Sequence, residues 1–377
     1  MGRNMNKNYR VFVARFLLPA CLIILSLIPC NGQQYKRNSA KRSLQTAQPL
    51  FPVEVNGKWG YINAAGRIVI KPQFDSADVY HDGLARVDIN QQSGYIDKAG
   101  RLVIKLPTRS WYSFFSEDLA PQCVEIGANS GPIRFKCSYI NKIGKTVISS
   151  QFDNAENFSE GLAAVSIGNR WGYIDKQGKY LINPRFNHAE SFSEGLALVY
   201  DENNREFVDK TGKIVIKSQS GIFMSGSFSE GLAIVRSGNN SGYINRVGKV
   251  VITSQFQEVF PFSEGLAMVV VNKKWGYIDN EGKIVIEPQF SPDENAGPLW
   301  KTDFGLPISF SEGLAAVMVG TKWCFIDKTG KIVINPQFDE VNRFIDGLAQ
   351  VRTDGKMGYI DKTGKYIWKP TRSSKPL

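Results

Sequence analysis

Phe262-Ser263-Glu264-Gly265-Leu266-Ala267-Met268-Val269-Val270-Val271-Asn272-Lys273-Lys274-Trp275-Gly276-Tyr277-Ile278-Asp279-Asn280-Glu281-Gly282-Lys283-Ile284-Val285-Ile286 contains three apolar runs parted by turn residues. The runs are rich in β-branched and aromatic side chains and too short for helices, so each reads as a strand. The second connection belongs to an Asp-Lys-x-Gly-Lys pattern that recurs at 175–179, 209–213, 327–331 and 361–365. Its Asp can accept a hydrogen bond from the turn backbone, and its Gly supplies a positive φ. The stretch therefore predicts a three-stranded antiparallel meander, followed by a crossover of about 15 residues through Pro-Gln-Phe.

The same pattern runs the length of the chain. Aligned on Gly-Tyr-Ile-Asp, the anchors are Gly60, Gly94, Ser138, Gly172, Glu206, Gly242, Gly276, Cys324 and Gly358, and five of the eight spacings are 34 residues. The others are 44, 36 and 48, which are 34 plus an insertion. Phe-Ser-Glu-Gly-Leu-Ala keeps the same phase at 158–163, 192–197, 228–233, 262–267 and 310–315, with degenerate copies at 80–85, 115–120 and 344–349. The first unit, from Phe51, has no such block before it, and the last ends after Tyr366-Ile367-Trp368. A single unit buries too little apolar surface to offset its ordering entropy, so neighbours must share a core.

These features predict an all-β tandem repeat array of about nine three-stranded antiparallel meanders of about 34 residues. The first and last units are each complete, with no sign of a closing strand exchange, and this favours an open superhelical stack. The alternative is a closed propeller-like ring, although propeller blades usually have four strands and about 40–45 residues.

Residues 1–15 are basic, and Phe16–Ile28 is an apolar run short of a comfortable membrane span. Small residues at Cys30 and Gly32 favour a cut before Gln33, so 1–32 is expected to be a signal peptide. A second reading takes Leu27-Ile28-Pro29-Cys30 as a lipobox with Cys30 lipidated, and a third is an uncleaved anchor. Residues 33–48 are expected to form a flexible basic linker, 49–370 the repeat array and 371–377 a C-terminal tail. The expected location is periplasmic, cell-surface or extracellular, with membrane contact only through the signal or a lipid.

The formal charge is +11, but +8 lies in the first 48 residues, which leaves +3 for the array. A body so close to neutral lacks the field that drives phosphate binding, and no nucleic-acid partner is expected. His81 and His188 are the only histidines, which excludes a multi-histidine metal or catalytic cluster. With no Cys-x-x-Cys either, no cofactor is expected. Cys123 and Cys137 face each other across the first hairpin of the third repeat, and in an oxidising compartment they are a candidate disulfide. Cys324 replaces a repeat glycine and reads as a small core residue.

The recurring Glu160, Glu194, Glu230, Glu264 and Glu312 read as turn residues facing water, the rival being a carboxylate ladder for cations. The Trp and Tyr of Trp-Gly-Tyr read as shared core, the rival being sugar-stacking platforms. Insertions are where a repetitive scaffold gains individuality. Trp300 and Lys301, within the 291–309 insertion, and Trp111-Tyr112 are therefore the candidate ligand contacts.

Lys-Trp-Gly-Tyr-Ile-Asn at 58–63 and Lys-Trp-Gly-Tyr-Ile-Asp at 274–279 resemble the bacterial WG repeat, also called the KWG repeat. The resemblance covers residues 51–370. It implies β-rich tandem repeats, often behind export signals, and offers no catalytic residues to carry over. The Trp position departs from the pattern at Ser93, Cys137, Arg205, Ser241 and Met357, so a ligand site needing Trp in every repeat is not expected. The expected function is a non-catalytic binding or scaffold protein of the cell envelope or exterior. It would recognise another protein through the repeat surface and its inserted loops. The alternatives are a glycan or cell-wall binding module and, third, an enzyme.

Overall fold

Three tight turns recur in most repeats. The computed structural model describes residues 48–372, apart from 109, 128–133, 203 and 292–307. In the Phe-Ser-Glu-Gly block, Ser159 and Leu162 exchange backbone hydrogen bonds of 2.8 and 3.2 Å. Between them both Glu160 (φ 54°) and Gly161 (φ 86°) are left-handed. Two positive φ values in a two-residue loop make a type I′ turn, whose twist matches that of the strands it joins. The next hairpin also uses a two-residue loop, with Asn272 and Lys273 both left-handed in one repeat and Gly168 leading in another. In the Asp-Lys-x-Gly-Lys turn, Asp175 Oδ1 accepts from the backbone N–H groups of Gln177 and Lys179 at 3.0 and 2.9 Å. Gly178 (φ 79°) closes the loop on the Asp175 carbonyl, as in a hairpin with a glycine bulge.

The fourth repeat shows the resulting sheet. Ala163–Ile167 pairs with Arg170–Ile174, which pairs with Tyr180–Phe186. The expected meander gains a two-residue strand, Asn154–Ala155, made by the crossover where it passes the first long strand. Most repeats are four-stranded in this way; the sheets of 50–74 and 315–338 have three strands among the described residues. The outer strand bulges after Ile182, and its backbone folds over Gly172. A Cβ on Gly172 would lie 2.4 Å from the Ile182 carbonyl oxygen, which explains the glycine of Trp-Gly-Tyr there. Pro72, Pro184, Pro288 and Pro336 lie on these edge strands, where a missing N–H costs no ladder bond and discourages pairing with other chains.

The core lies between successive sheets. Tyr173, Ile182 and Phe186 of the fourth repeat pack on Ala189, Phe192 and Val199 of the fifth. Buried tyrosines stitch the junctions: Tyr173 Oη donates to the Glu190 carbonyl at 2.6 Å, and Tyr61, Tyr139 and Tyr243 do likewise one repeat on. These aromatics are interior, not a surface platform.

The last repeat packs on the first in the same manner. Leu348 and Tyr359 join Phe51, Val53 and Ile62 in one cluster, and Tyr359 Oη donates to the Pro52 carbonyl at 2.9 Å. The nine sheets thus form a closed ring, a nine-bladed β-propeller. This is the alternative arrangement, and the open stack is not adopted. Whole first and last units do not prevent closure, because side-chain packing seals the ring without strand exchange.

Candidate functional site

The Ser-Glu-Gly glutamates sit in the expected turns, Glu160 and Glu230 exposed and the others partly so, but they also make bonds that the turn reading did not include. Each carboxylate reaches to the next repeat. Glu160 accepts from Gly195 N–H at 2.9 Å, Glu194 from Gly231 at 2.9 Å, Glu230 from Gly265 at 2.9 Å and Glu264 from Gly313 at 2.9 Å. A lysine of the next Asp-Lys-x-Gly turn completes the cradle: Lys210 lies 3.1 Å from Glu160 and Lys328 3.3 Å from Glu264. Alongside, Ser159 Oγ donates to the Phe192 carbonyl and Ser193 Oγ to that of Phe228, each at 2.7 Å. The turns form a continuous belt of inter-repeat bonds.

The belt alters carboxylate titration. Burial raises the pKa of Glu160, but the hydrogen bonds from Lys210 and Gly195 outweigh it and hold the carboxyl below its ordinary value. Glu264 behaves in the same way. A depressed carboxylate contributes stability that is complete above its unfolded pKa and is lost as pH falls through the folded one. The melting temperature is therefore expected to be level from neutral pH to about pH 5 and to fall below about pH 4. A Glu160→Gln, Glu264→Gln variant should flatten that acid limb; an unaltered limb would contradict the belt's role.

One turn is missing. The first repeat enters at Gln48-Pro49-Leu50, and by alignment Pro49 stands where the other turns carry Gly or Asp118. Proline cannot take a positive φ, so no type I′ turn forms there. The Gln48 carbonyl nevertheless accepts from Lys98 at 3.0 Å, as the Glu160 carbonyl does from Lys210 at 2.8 Å. Phe51 replaces the usual Ala of Gly-Leu-Ala and meets Tyr359 at 5.5 Å between ring centroids, where the belt elsewhere brings a turn Phe.

A cavity of about 600 Å³ remains at this seam, within the range of ligand pockets. Its walls come from the last turn (Ile345, Asp346), the entry strand (Pro49, Leu50) and the second repeat's turn (His81, Asp82, Gly83). Phe114, 48% exposed, stacks on His81 at 4.4 Å and closes one side. Burial holds the His81 pKa below its usual value, although Asp78 opposes this. Asn342 and Gln350 also line the cavity. They are buried and joined by a 2.9 Å bond, while Asn342 Oδ1, of a residue only 3% exposed, has no partner among the described residues.

Among the described residues, none of the candidates chosen from the sequence lines this cavity. Trp111 and Tyr112 alternate along Ser110–Tyr112: Trp111 is 51% exposed, whereas Tyr112 is buried and donates to the Pro107 carbonyl. Trp300, Lys301 and Cys30 lie outside the described residues. Cys123 and Cys137 are register partners and are bonded. Removing a bridge that spans 14 residues is expected to cost roughly 3 kcal/mol. A Cys123→Ala, Cys137→Ala variant should melt several degrees lower than the parent; an unchanged melting point would deny the bridge that role. Cys324 is free and buried, and burial pushes its thiol pKa up to about 11. Among the described residues no group of His, Cys, Asp and Glu could hold a metal, and no helix is long and apolar enough to cross a membrane.

The seam was legible in one signal: the array opens without the block that precedes every other repeat, and Tyr80–Gly83 and Phe344–Gly347, the copies flanking the gap, are degenerate. A family model described as WG containing repeat matches residues 59–91, 138–171, 171–204, 207–240, 242–275, 275–291 and 325–356, more than half of the 377 residues. The chain belongs to the WG repeat family.

Among curated proteins none matches this WG repeat chain. Solved structures resemble it distantly. AztD from Citrobacter koseri, in its apo form, has 12% identity and a TM-score of 0.38 over 86% of this chain and 93% of its own. Hsv2p from Kluyveromyces lactis has 10% identity and a TM-score of 0.36 over 55% and 74%. The β-propeller domain of the trilobed protease from Pyrococcus furiosus has 10% identity and a TM-score of 0.36 over 71% and 100%. At such scores these likenesses carry no argument about function.

Proposed function

We propose that this WG repeat protein is a non-catalytic binding protein of the cell envelope or exterior that recognises another protein. The observation that carries this reading is the seam. Elsewhere the turn belt commits its polar groups to holding the ring together, whereas at the seam the Gly83 N–H and the Asp346 carboxylate have no partner among the described residues and line a ligand-sized cavity. Export is supported by the basic start and apolar run of the N-terminus and by a buried disulfide, which suits an oxidising compartment. The test uses the full chain with a photo-reactive residue at position 114, irradiated in its source cells. Discrete cross-linked protein partners, absent when the probe is moved to exposed Val247, are expected. No cross-linked protein, together with saturable co-sedimentation on peptidoglycan or insoluble polysaccharide, would replace this reading with glycan binding.

A further inference from the structure

The belt contains a carboxylate cradle in repeated use. In six places a glutamate of one turn is held by the glycine N–H of the next: Glu117, Glu160, Glu194, Glu230, Glu264 and Glu312. Lys176, Lys210, Lys328 and Lys362 pair with four of them. The second repeat has the same parts, with Gly83 (φ 88°) at the turn and Lys98 at the lysine position. No carboxylate fills it, because the residue aligned with the glutamate is Gln48. Among the described residues Gly83 N–H meets no acceptor, and Lys98 holds only the Gln48 carbonyl.

The other wall is complementary. Asp346 holds the glutamate position of the last turn, yet Pro49 follows in the place of the glycine it would bind, and Ala64 stands where a lysine or arginine is usual. Asp346 makes no hydrogen bond or ion pair among the described residues. This leaves one carboxylate on one side of the cavity and a glycine N–H with a lysine on the other.

Building on the protein-binding reading above, we propose that the seam cavity takes an acidic turn of a partner polypeptide, of the same kind as Phe-Ser-Glu-Gly. Its carboxylate would sit between Gly83 N–H and Lys98, and its backbone N–H groups would meet Asp346. Phe114 and Ile345 would cover its apolar side chain. The ring displays in its own belt the interaction it offers to the partner. A second copy of the chain is a poor donor, because its glutamates are already engaged in its own ring.

The probe is a fluorescein-labelled peptide with the sequence of residues 226–233, Gly-Ser-Phe-Ser-Glu-Gly-Leu-Ala, titrated into the full chain and followed by polarisation. Saturable binding is expected. It should weaken at least tenfold when the peptide's glutamate becomes glutamine, and again for Lys98→Met and Asp346→Asn proteins whose melting points match the parent. No saturation at millimolar protein, or equal binding by the glutamine peptide and the Lys98→Met protein, would overturn the inference. If cross-linking from position 114 still captures a protein while the peptide fails, only this inference falls and the protein-binding reading stands. Dimerisation by light scattering, abolished by Lys98→Met and untouched by the peptide, would assign the cavity to a second copy and overturn the foreign partner.

Discussion

Replacing Tyr173 by alanine is expected to destabilise the ring by roughly 3–5 kcal/mol, the usual cost of emptying an aromatic core position. The ring of Tyr173 is fully buried and packs on Phe192 at 4.7 Å with the ring planes tilted by 60°, across the junction between the fourth and fifth repeats. Its hydroxyl adds a 2.6 Å bond to the Glu190 carbonyl. Tyr173→Phe removes only that bond and should cost about 1–2 kcal/mol. Nature has made the milder change, since Phe207 and Phe325 hold the equivalent place in two repeats. Urea unfolding of both variants separates ring from hydroxyl. Equal losses would mean that the bond and not the packing holds the junction, contrary to the account given above.

Phe51→Ala should cost a similar roughly 3–5 kcal/mol and should also open the ring. Phe51 is buried against Tyr359, and both belong to the cluster that joins last repeat to first. Small-angle scattering is expected to show a larger radius of gyration for Phe51→Ala, while Tyr173→Phe leaves it unchanged. Because the two side chains touch, Phe51→Ala and Tyr359→Ala combined should cost less than their sum. A Phe51→Ala ring with parental radius and unfolding midpoint would show that closure rests on something other than this aromatic pair.

Local features were legible in the sequence and relations between repeats were not. The 34-residue period, the strand runs and the Asp and Gly of each turn report on backbone geometry within a few residues, and all are found. The glutamates' turns were legible but their bonds to the next repeat were not, because a Glu-Gly pair is an ordinary exposed turn in one repeat and its partner glycine lies 35 residues away for Glu160. Ring and open stack differ by a small angle at each junction, and no single residue encodes that angle. Phe51 in an alanine position and Gln350 in a usually apolar one marked the closing junction, but they mean something only once two distant repeats are neighbours. The insertions drew attention because they add residues, whereas the cavity arises where residues are lacking.

A linear chain of nine units has eight connectors, but a circle of nine has nine contacts to satisfy. One contact must therefore be built without a covalent link, and here it falls between residues 48–74 and 338–372. Circular permutation exploits this arithmetic. If the existing ends were joined by a Phe-Ser-Glu-Gly crossover and new ends cut between the fourth and fifth repeats, the old seam would become an ordinary junction and the vacancy would move to the cut. The position of the pocket on the circle is thus set by which repeat opens the array, and a permutation by one unit would carry the pocket with it.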